Sequence, residues 1–395
     1  MPAPENIRGT SALLYHLMVK RDEHIEIIAY DFNMNALSAE QIRKSEEDLH
    51  IKVRLISKPK WYVWMFKFHL LFLRLFLKYP YNNYLVLKDG LVDEIKSLQP
   101  DGIWIYGEEL SRVSRQFPEY KRIHTLPDCE SLYYYRMLEE RFVIKNHFMF
   151  LRCSFMYRKY LNMEEAFENS NLVYYHLVGS QDVVFLKNIN PGIQAYFIRH
   201  PHYEIADVNR KIQFHNPKLR VLIAGQYNHY MKQDADMLME QLISLDPEVK
   251  LELQQNYTLT FLGRGWDGQV NILKSAGYEV NHILYVPDYI AEIKKYDIQL
   301  APISIGTGTK GKVLDALSNG LLVIGSWYAL ENIAVDNGIS CIQYISVHDV
   351  IDVLRDIPQH INHYEQIAEN GRSNALICHD RTLASWEMFS LFNES

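Results

Sequence analysis

The chain has 395 residues, which is enough for two domains that each bury a core of their own. Its hydrophobic content of 48% and charged content of 23% are those of an ordinary soluble protein, and the formal net charge of −7 argues against a general nucleic-acid binder. Four scattered cysteines without a CxxC pair argue against a disulfide framework or a metal site, and they favour a reducing, cytoplasmic compartment.

The first residues read as a loop, with Pro2, Pro4 and Gly9, and a helical pattern begins at Thr10. They contain no apolar core of a signal peptide, and no run in the chain is long enough to span a bilayer. In an α/β domain, a loop of this kind normally follows a first strand. We therefore expect that this strand is missing, through a late start site or a trimmed N-terminus.

A basic and aromatic segment lies between Lys58 and Lys88, which contains six lysine or arginine residues and no acid. The pattern predicts a helix over residues 60–79 with a single basic stripe, formed by Lys60, Lys67, Arg74 and Lys78. Two interpretations are open: a core helix whose stripe faces water, or a helix lying in the interface of an anionic membrane. A spanning helix is disfavoured because Lys67 and Arg74 would lie near the bilayer centre.

Short apolar strands alternate with helices through the rest of both halves, which predicts two domains with parallel sheets that face each other across a cleft. A polar stretch near residues 206–217 reads as the linker. The predicted domains are therefore 1–205 and 206–375. Residues 376–395 form a last helix, which we expect to pack back on the first domain.

The stretch from Tyr296 to Glu331 has the strongest chemical signal. A buried strand ends in a loop that carries three glycines and two lysines, and a helix and a second strand follow; the loop residues are Gly306, Gly308, Gly311, Lys310 and Lys312. Backbone N–H groups of such a loop and of the helix N-terminus bind anions, and the lysines add positive charge. The sequence predicts a phosphate or diphosphate site here.

Two familiar sequence motifs also match the residue pattern of this region. Residues 306–311 and 263–268 both fit GxGxxG, but Arg264 and Trp266 are bulky for a loop that lets a pyrophosphate touch the backbone. Residues 306–312 fit the nucleotide-triphosphate loop GxxxxGK, but Val313 stands where a hydroxyl must hold magnesium. Neither dinucleotide binding nor triphosphate hydrolysis is favoured.

A third match covers about 130 residues of the second half. The region resembles the donor-binding segment of GT-B glycosyltransferases, especially glycosyltransferase family four, at Ala301, Pro302, Gly306, Gly308, Lys312, Ala316, Gly320 and Val323, with Asp315 in place of the usual Glu. Gly225 and Arg264, each after a strand, extend the match upstream. In the first half, Gly9 matches the family's glycine loop and Ser180-Gln-Asp182 its S-x-D segment.

The resemblance implies a GT-B architecture of two Rossmann-like domains and a nucleoside-diphosphate sugar, UDP- or GDP-linked, as substrate, with neither a cofactor nor a metal. It places Lys312 at the diphosphate and Asp315 at the ribose hydroxyls. The other implied donor-binding residues are Gly225, Arg264, Gly306, Gly308, Thr309 and Lys310, and Gly9 would line the cleft. Members commonly carry a Glu where this chain has Thr307, so whether the mechanism retains or inverts the sugar configuration stays open.

On the acceptor side, His124 and Asp128 follow a strand and should lie at its carboxyl end. A base must take the proton of the acceptor hydroxyl, and either residue could do so in an inverting enzyme. In a retaining one, His124 would rather contact the donor sugar. Both could instead be structural, His124 as a buried histidine and Asp128 as a helix cap, and Glu130 is a weaker candidate.

The function that follows is transfer of a sugar to a glycan acceptor in bacterial surface-polysaccharide assembly. The basic-aromatic segment suggests that the acceptor is lipid-linked and that the protein lies peripherally on the inner face of the cell membrane. Two alternatives remain: a sugar-nucleotide epimerase of the same fold, which would need no acceptor, and a GT-B-like partner subunit whose site has decayed, as Thr307 and the missing strand would suggest.

Overall fold

The computed structural model describes residues 1–2, 10–139, 147–203, 205, 207, 209–214 and 217–393. The chain divides into two compact units. Unit 1 comprises Met1–Pro201 together with Arg381–Ser395, and unit 2 comprises His202–Asp380. Gly9, which the sequence assigns to the cleft, lies outside the described residues.

Both units contain parallel sheets. In unit 1 the strands are β1 (Ile28–Asp31), β2 (Lys52–Leu55), β3 (Ile103–Tyr106), β4 (Arg122–Leu126), β5 (Val173–Leu177) and β6 (Ala195–Phe197). In unit 2 they are β7 (Leu219–Ala224), β8 (Tyr257–Leu262), β9 (Val280–Ile283), β10 (Ile298–Ala301), β11 (Leu322–Gly325) and β12 (Ile342–Gln343).

Helices connect these strands. In unit 1 they are α1 (Thr10–Val19), α2 (Ala39–Leu49), α3 (Lys60–Lys67), α4 (Asp89–Ser97), α5 (Ser111–Ser114), α6 (Glu130–Glu139), α7 (His147–Glu165) and α8 (Ser180–Ile189). In unit 2 they are α9 (Lys232–Ser244), α10 (Pro247–Asn256), α11 (Asp267–Ser275), α12 (Tyr289–Ile293), α13 (Gly311–Ser318), α14 (Trp327–Leu330), α15 (Val347–Asp356) and α16 (Ile361–Cys378), and α17 (Arg381–Ser390) follows.

The sheet of unit 2 has the strand order β12-β11-β10-β7-β8-β9, and every neighbouring pair is parallel. Successive residues of β7 point to opposite faces: Val221 and Ile223 join one core, and Leu222 joins the other. The chain winds away from β7 in both directions. The order therefore reverses between β7 and β10, where ligands bind in sheets of this kind.

Unit 1 has two parallel sheets, one of β1 and β2 and one with the order β3-β4-β5-β6. The last helix, α17, packs against this unit: the Ser385 hydroxyl donates to the Leu17 carbonyl at 2.7 Å, and the Phe389 ring meets that of Trp104 at 5.5 Å. This return of the C-terminal helix confirms the expected fold class. Because α16 continues to Cys378 within unit 2, the returning segment begins at Arg381 rather than at residue 376.

The basic-aromatic segment differs from the single helix predicted over residues 60–79. Helix α3 ends at Lys67, His69 has a left-handed backbone with φ of +53°, and a separate 3₁₀ helix covers Leu70–Phe76. A left-handed residue interrupts the α-helical hydrogen bonds, so the prediction of one continuous helix is wrong.

The apolar side chains of this segment face outward. Only Tyr62 of α3 is buried and none of Leu70–Phe76 is; the Phe76 side chain is 82% exposed and that of Phe72 57%. The interpretation as a core helix is therefore wrong. Nowhere in the described ranges does a helix combine the length and the apolar character needed to cross a bilayer.

Candidate functional site

The loops that follow β7 and β10 in unit 2 are bound to each other at the point where the strand order reverses. The Ser304 backbone N–H donates to the Tyr230 carbonyl at 2.7 Å, and the Ser304 hydroxyl accepts from the Asp234 N–H at 2.9 Å. The loops after the two central strands therefore form a single rim. The predicted donor-binding residues of unit 2 lie on this rim, in the loop after β8, or on α13.

The glycines after β7 and β8 allow two backbones to approach closely. Gly263 has φ of +144°, and a Cβ there would lie 2.0 Å from the Gly225 carbonyl oxygen. That oxygen accepts a hydrogen bond of 2.8 Å from the indole N–H of Trp266, whose side chain is fully buried. The prediction that Trp266 adds bulk to the loop is wrong, because its ring lies in the core. Arg264 is exposed.

The glycine-rich loop after β10 is closed by one of its own lysines. The Lys310 ammonium donates to the carbonyls of Thr307 at 2.7 Å and Gly308 at 3.1 Å, and its side chain lies over Gly306. The Asn332 amide also donates to the Gly308 carbonyl, at 3.0 Å. In this conformation the Thr307 and Gly308 carbonyls accept hydrogen bonds from the protein itself.

Lys312 is exposed at the start of α13, and its ammonium lies 5.7 Å from the centre of the Tyr289 ring. Tyr289 is the first residue of α12, and the Asp288 side chain caps this helix by accepting from the Ala291 N–H at 2.9 Å. The N-terminus of α13 thus presents the Lys312 ammonium beside its own backbone N–H groups, an arrangement that stabilises negative charge.

Asp315 lies further along α13 and is only 1% exposed. Its position in the second turn of this helix is the one that the resemblance assigns to the ribose contact. The structure places the carboxylate beneath the surface of unit 2, and its contact with a ribose stays a prediction.

The carboxyl ends of β3 and β4 in unit 1 are acidic. Glu108 and Glu109 follow β3, and Asp128 and Glu130 follow β4. Glu164 of α7 joins them by accepting from the backbone N–H and the hydroxyl of Ser131. We call these five carboxyl groups the acidic edge.

Burial is the main cause of the raised pKa values in the acidic edge. Although Glu108 and Glu130 keep some solvent access, burial first and the neighbouring carboxylates second hold the pKa of each well above its ordinary value. Burial raises the pKa of Glu164 to about 7, against the opposing effect of its hydrogen bonds from Ser131. Burial also raises the pKa of Glu109, whose carboxylate accepts from the Tyr160 hydroxyl at 2.8 Å. The edge can therefore hold and exchange protons near neutral pH.

His124 lies in the interior of unit 1, not among the acidic groups. It is fully buried, its ring packs against Phe167 and Tyr175, and burial lowers its pKa to about 4. Its Nε2–H donates to the Gly107 carbonyl at 2.9 Å, so this neutral imidazole holds the turn that carries Glu108. A catalytic role of His124 stays a prediction.

Asp128, the other predicted catalytic residue, belongs to the acidic edge and is partly exposed. The next backbone N–H, that of Cys129, donates to the buried Asp182 carboxylate at 2.8 Å. The S-x-D segment thus supports the loop that carries Asp128. No group of described histidine, cysteine or acidic side chains has an arrangement that could hold a metal ion.

Glu108, Glu109 and Glu164 were not predicted from the sequence. The first two could have been found by the argument used for Asp128, since they follow a short apolar strand directly. Glu164 gives no such signal, because it comes from a helix that lies 33 residues further along the chain than Ser131.

No protein-family model matches the chain, and no curated protein is similar to it in sequence. Solved structures are similar in fold. HepE of Anabaena in complex with UDP superposes with a TM-score of 0.64 at 12% identity, over 99% of this chain and 98% of that one. WaaG, a glycosyltransferase involved in lipopolysaccharide biosynthesis, gives 0.60 at 13% identity, over 98% and 96%.

Sucrose-phosphate synthase from Thermosynechococcus elongatus gives a TM-score of 0.56 at 13% identity, over 77% of this chain and 76% of that one. The likeness to these proteins establishes the GT-B fold of this chain and confirms the predicted fold class. At such identities it does not single out glycosyltransferase family four.

Proposed function

We propose that this protein is a glycosyltransferase that takes its sugar from a nucleoside-diphosphate donor bound to unit 2. The observation that carries the proposal is the basic, glycine-rich rim at the reversal of the strand order, with Lys312 at the start of α13. The solved relative HepE binds UDP and UDP-glucose, which supports a donor of this class.

The chemistry needs two kinds of group. As the bond between the anomeric carbon and the diphosphate breaks, the leaving group gains negative charge, and Lys312, Arg264 and the helix N–H groups are suited to stabilise it. The acceptor oxygen forms the new bond and loses its proton to a base. We assign that base to the acidic edge, with Asp128 or Glu130 as the acceptor of the proton. Asp128 is chosen for its place after β4, and Glu130 because its raised pKa favours proton exchange near neutral pH. We propose that no metal takes part.

We further propose that the acceptor is lipid-linked and that unit 1 lies on an anionic membrane at its cytoplasmic face, in the assembly of a bacterial surface polysaccharide. The exposed aromatic side chains of residues 60–78 and the absence of acids there support this part. If this part is correct, the protein sediments with anionic vesicles, and its binding to them weakens as salt is added. An absence of binding at low salt would remove the membrane from the proposal.

The donor site is tested by calorimetry with UDP and GDP on the full chain. We expect binding of one of them, and a loss of roughly 10- to 100-fold in affinity in Lys312→Ala, because hydrogen bonds to a charged group are worth about 1.5–3 kcal/mol. The matched control is Lys274→Ala, an exposed lysine in the last turn of α11. Equal affinities in the two variants would contradict the assignment of Lys312.

Product analysis then separates the alternatives. Transfer that requires an added acceptor supports the glycosyltransferase, whereas conversion of the donor sugar without an acceptor would indicate an epimerase. If UDP or GDP binds but no sugar nucleotide is transferred or hydrolysed, a decayed binding subunit explains the chain better.

A further inference from the structure

A cavity of about 330 Å³ lies in unit 1, beside α5 and the end of α7. Its volume is within the range of small-molecule sites. Polar lining comes from Asn83, Ser111, Arg112 and Arg115, and apolar lining from Tyr79 and Met163. None of these residues belongs to the rim of unit 2 or to the acidic edge.

The Arg112 guanidinium contacts aromatic rings rather than carboxylates. The Arg112 guanidinium lies 4.4 Å from the ring centre of Tyr84 and 5.6 Å from that of Tyr79. Across the part of the chain that the structure describes, no acidic group pairs with Arg112 or Arg115. Two cations therefore line one cavity without a neutralising partner among these residues.

Hydrogen bonds orient the other polar groups. Arg115 is exposed and uses one nitrogen to donate to the Ala166 carbonyl. The buried Asn83 amide donates to the Ser111 hydroxyl oxygen at 2.7 Å and to the Glu109 carbonyl at 3.0 Å. Because Ser111 accepts here, its own O–H can donate to a guest in the cavity. Guanidinium N–H groups and a hydroxyl donor suit an anion with several oxygens.

The cavity lies where two exposed basic-aromatic segments meet. Tyr79 follows the 3₁₀ helix Leu70–Phe76, and the Lys159 ammonium of α7 donates to the carbonyls of Arg74 and Leu77. In the turns before the buried Lys159, α7 exposes Phe148, Leu151 and Phe155 at helical spacing. Residues 147–163 contain no acid, as residues 58–88 do not.

We propose that this cavity binds a phosphoryl group through Arg112, Arg115 and the Ser111 hydroxyl. Arginine forks match the oxygens of a phosphate in pairs. The phosphoryl group can belong to a soluble phosphate ester or to an anionic lipid headgroup. The lipid source rests on the proposed membrane association, whereas the site itself does not depend on the donor site of unit 2.

The first test measures binding of sn-glycerol 3-phosphate to the full chain by calorimetry, in a Lys312→Ala background so that the donor site contributes little. We expect binding that weakens at least about tenfold when Arg112→Gln and Arg115→Gln are combined, since two charge-assisted contacts are lost. The charge-matched control combines Lys20→Gln and Lys187→Gln, two exposed lysines of unit 1, and should bind as the background does.

Arg115→Gln alone changes an exposed side chain, so it keeps the test valid if the double variant does not fold. We expect it to weaken binding by several-fold. No binding of glycerol phosphate to the background protein, or equal binding in the double variant and the lysine control, would overturn the proposal.

The second test identifies the source of the phosphoryl group with vesicles of phosphatidylcholine and phosphatidylglycerol. If the lipid headgroup is the source, the arginine variant loses vesicle binding relative to the lysine control, and free glycerol phosphate competes with the vesicles. If only binding of the soluble ester weakens, a free phosphate ester is the source. Both outcomes support the site, and unchanged binding in both assays contradicts it.

Discussion

The two units place different ionisable groups at the carboxyl ends of their parallel strands. Unit 2 carries lysines and an arginine around glycine-rich loops, whereas unit 1 carries the acidic edge after β3 and β4. Both units are built from parallel strands, and the chemical difference lies in the few residues that follow these strands. One edge suits a departing diphosphate, and the other suits a hydroxyl group and its proton.

Removing a buried tryptophan from unit 2 should have the largest effect, because the ring supports the loop after β7. Trp266 is fully buried beside Phe261 and donates to the Gly225 carbonyl. We expect Trp266→Ala to cost about 3–5 kcal/mol of unit 2 stability, through the cavity and the lost hydrogen bond. Hydrogen exchange of β7 and β8 measures it. Trp386→Ala in unit 1, at a side chain 67% exposed, is the control and should cost far less.

The second prediction concerns pH and separates the units. The pKa of Glu164 is raised to about 7, so its contribution to stability is complete below its unfolded value of 4.5 and is lost as pH rises through 7. The pKa of His124 is lowered to about 4 and that of His176 to about 3. Their contribution is complete above 6.5 and is lost as pH falls through those values. Protection of β4 and β5 should therefore decrease on both sides of a mildly acidic optimum.

In unit 2, burial raises the pKa values of several described tyrosines and of Cys341, so these groups titrate well above neutral pH. The hydrogen-exchange protection of β7 and β8 should therefore change little between pH 5 and 8. Glu164→Gln should reduce the loss of unit 1 stability that occurs as pH rises through 7, by up to about 3 kcal/mol. Glu165→Gln, at the exposed neighbouring position, should not. An equal pH response of the two units would contradict this difference.

The third prediction tests the exposed aromatic side chains of unit 1. Phe72→Ser combined with Phe76→Ser should lower binding to anionic vesicles at least tenfold, since burial of one phenylalanine is worth about 1.5–3 kcal/mol. The control, Tyr285→Ser, removes an aromatic ring of unit 2 that is 76% exposed. Vesicle binding that follows the control and not the phenylalanines would move the membrane contact to the other unit.

The smallest effect should come from the lysine that closes its own loop. Lys310 donates to the carbonyls of Thr307 and Gly308, so Lys310→Ala removes support of the loop rather than a direct contact with the ligand. We expect a loss of about 1 kcal/mol, roughly fivefold in nucleotide affinity, which is less than the loss in Lys312→Ala. A larger loss in Lys310→Ala would reverse the roles assigned to the two lysines.

Unit 2 could be predicted from the sequence because its signals are local. Apolar strands ending at Gly225 and Gly263, and the glycine loop after β10, mark where each strand ends and where the backbone must turn. The parallel order of strands follows from their alternation with helices. The inward turn of Trp266 could not be predicted, since a tryptophan after a glycine pair has no local preference for the core.

Unit 1 was harder to predict because its features depend on distant contacts. The break at His69 has no glycine or proline to announce it, and the run Leu70–Phe76 has the composition of a core helix although none of it is buried. The sequence pattern places His124 at the carboxyl end of a strand, but it lies in the middle of β4, where its ring is buried against Phe167 and Tyr175.

We propose that unit 2 holds a nucleoside diphosphate on its basic rim. Hydrogen exchange of the full chain with and without saturating UDP or GDP tests this directly, since bound phosphates should protect backbone N–H groups around Gly225, Gly263 and residues 306–313. We expect protection in these three segments and none in the strands of unit 1. Protection confined to unit 1, or none with either nucleotide, would contradict the account.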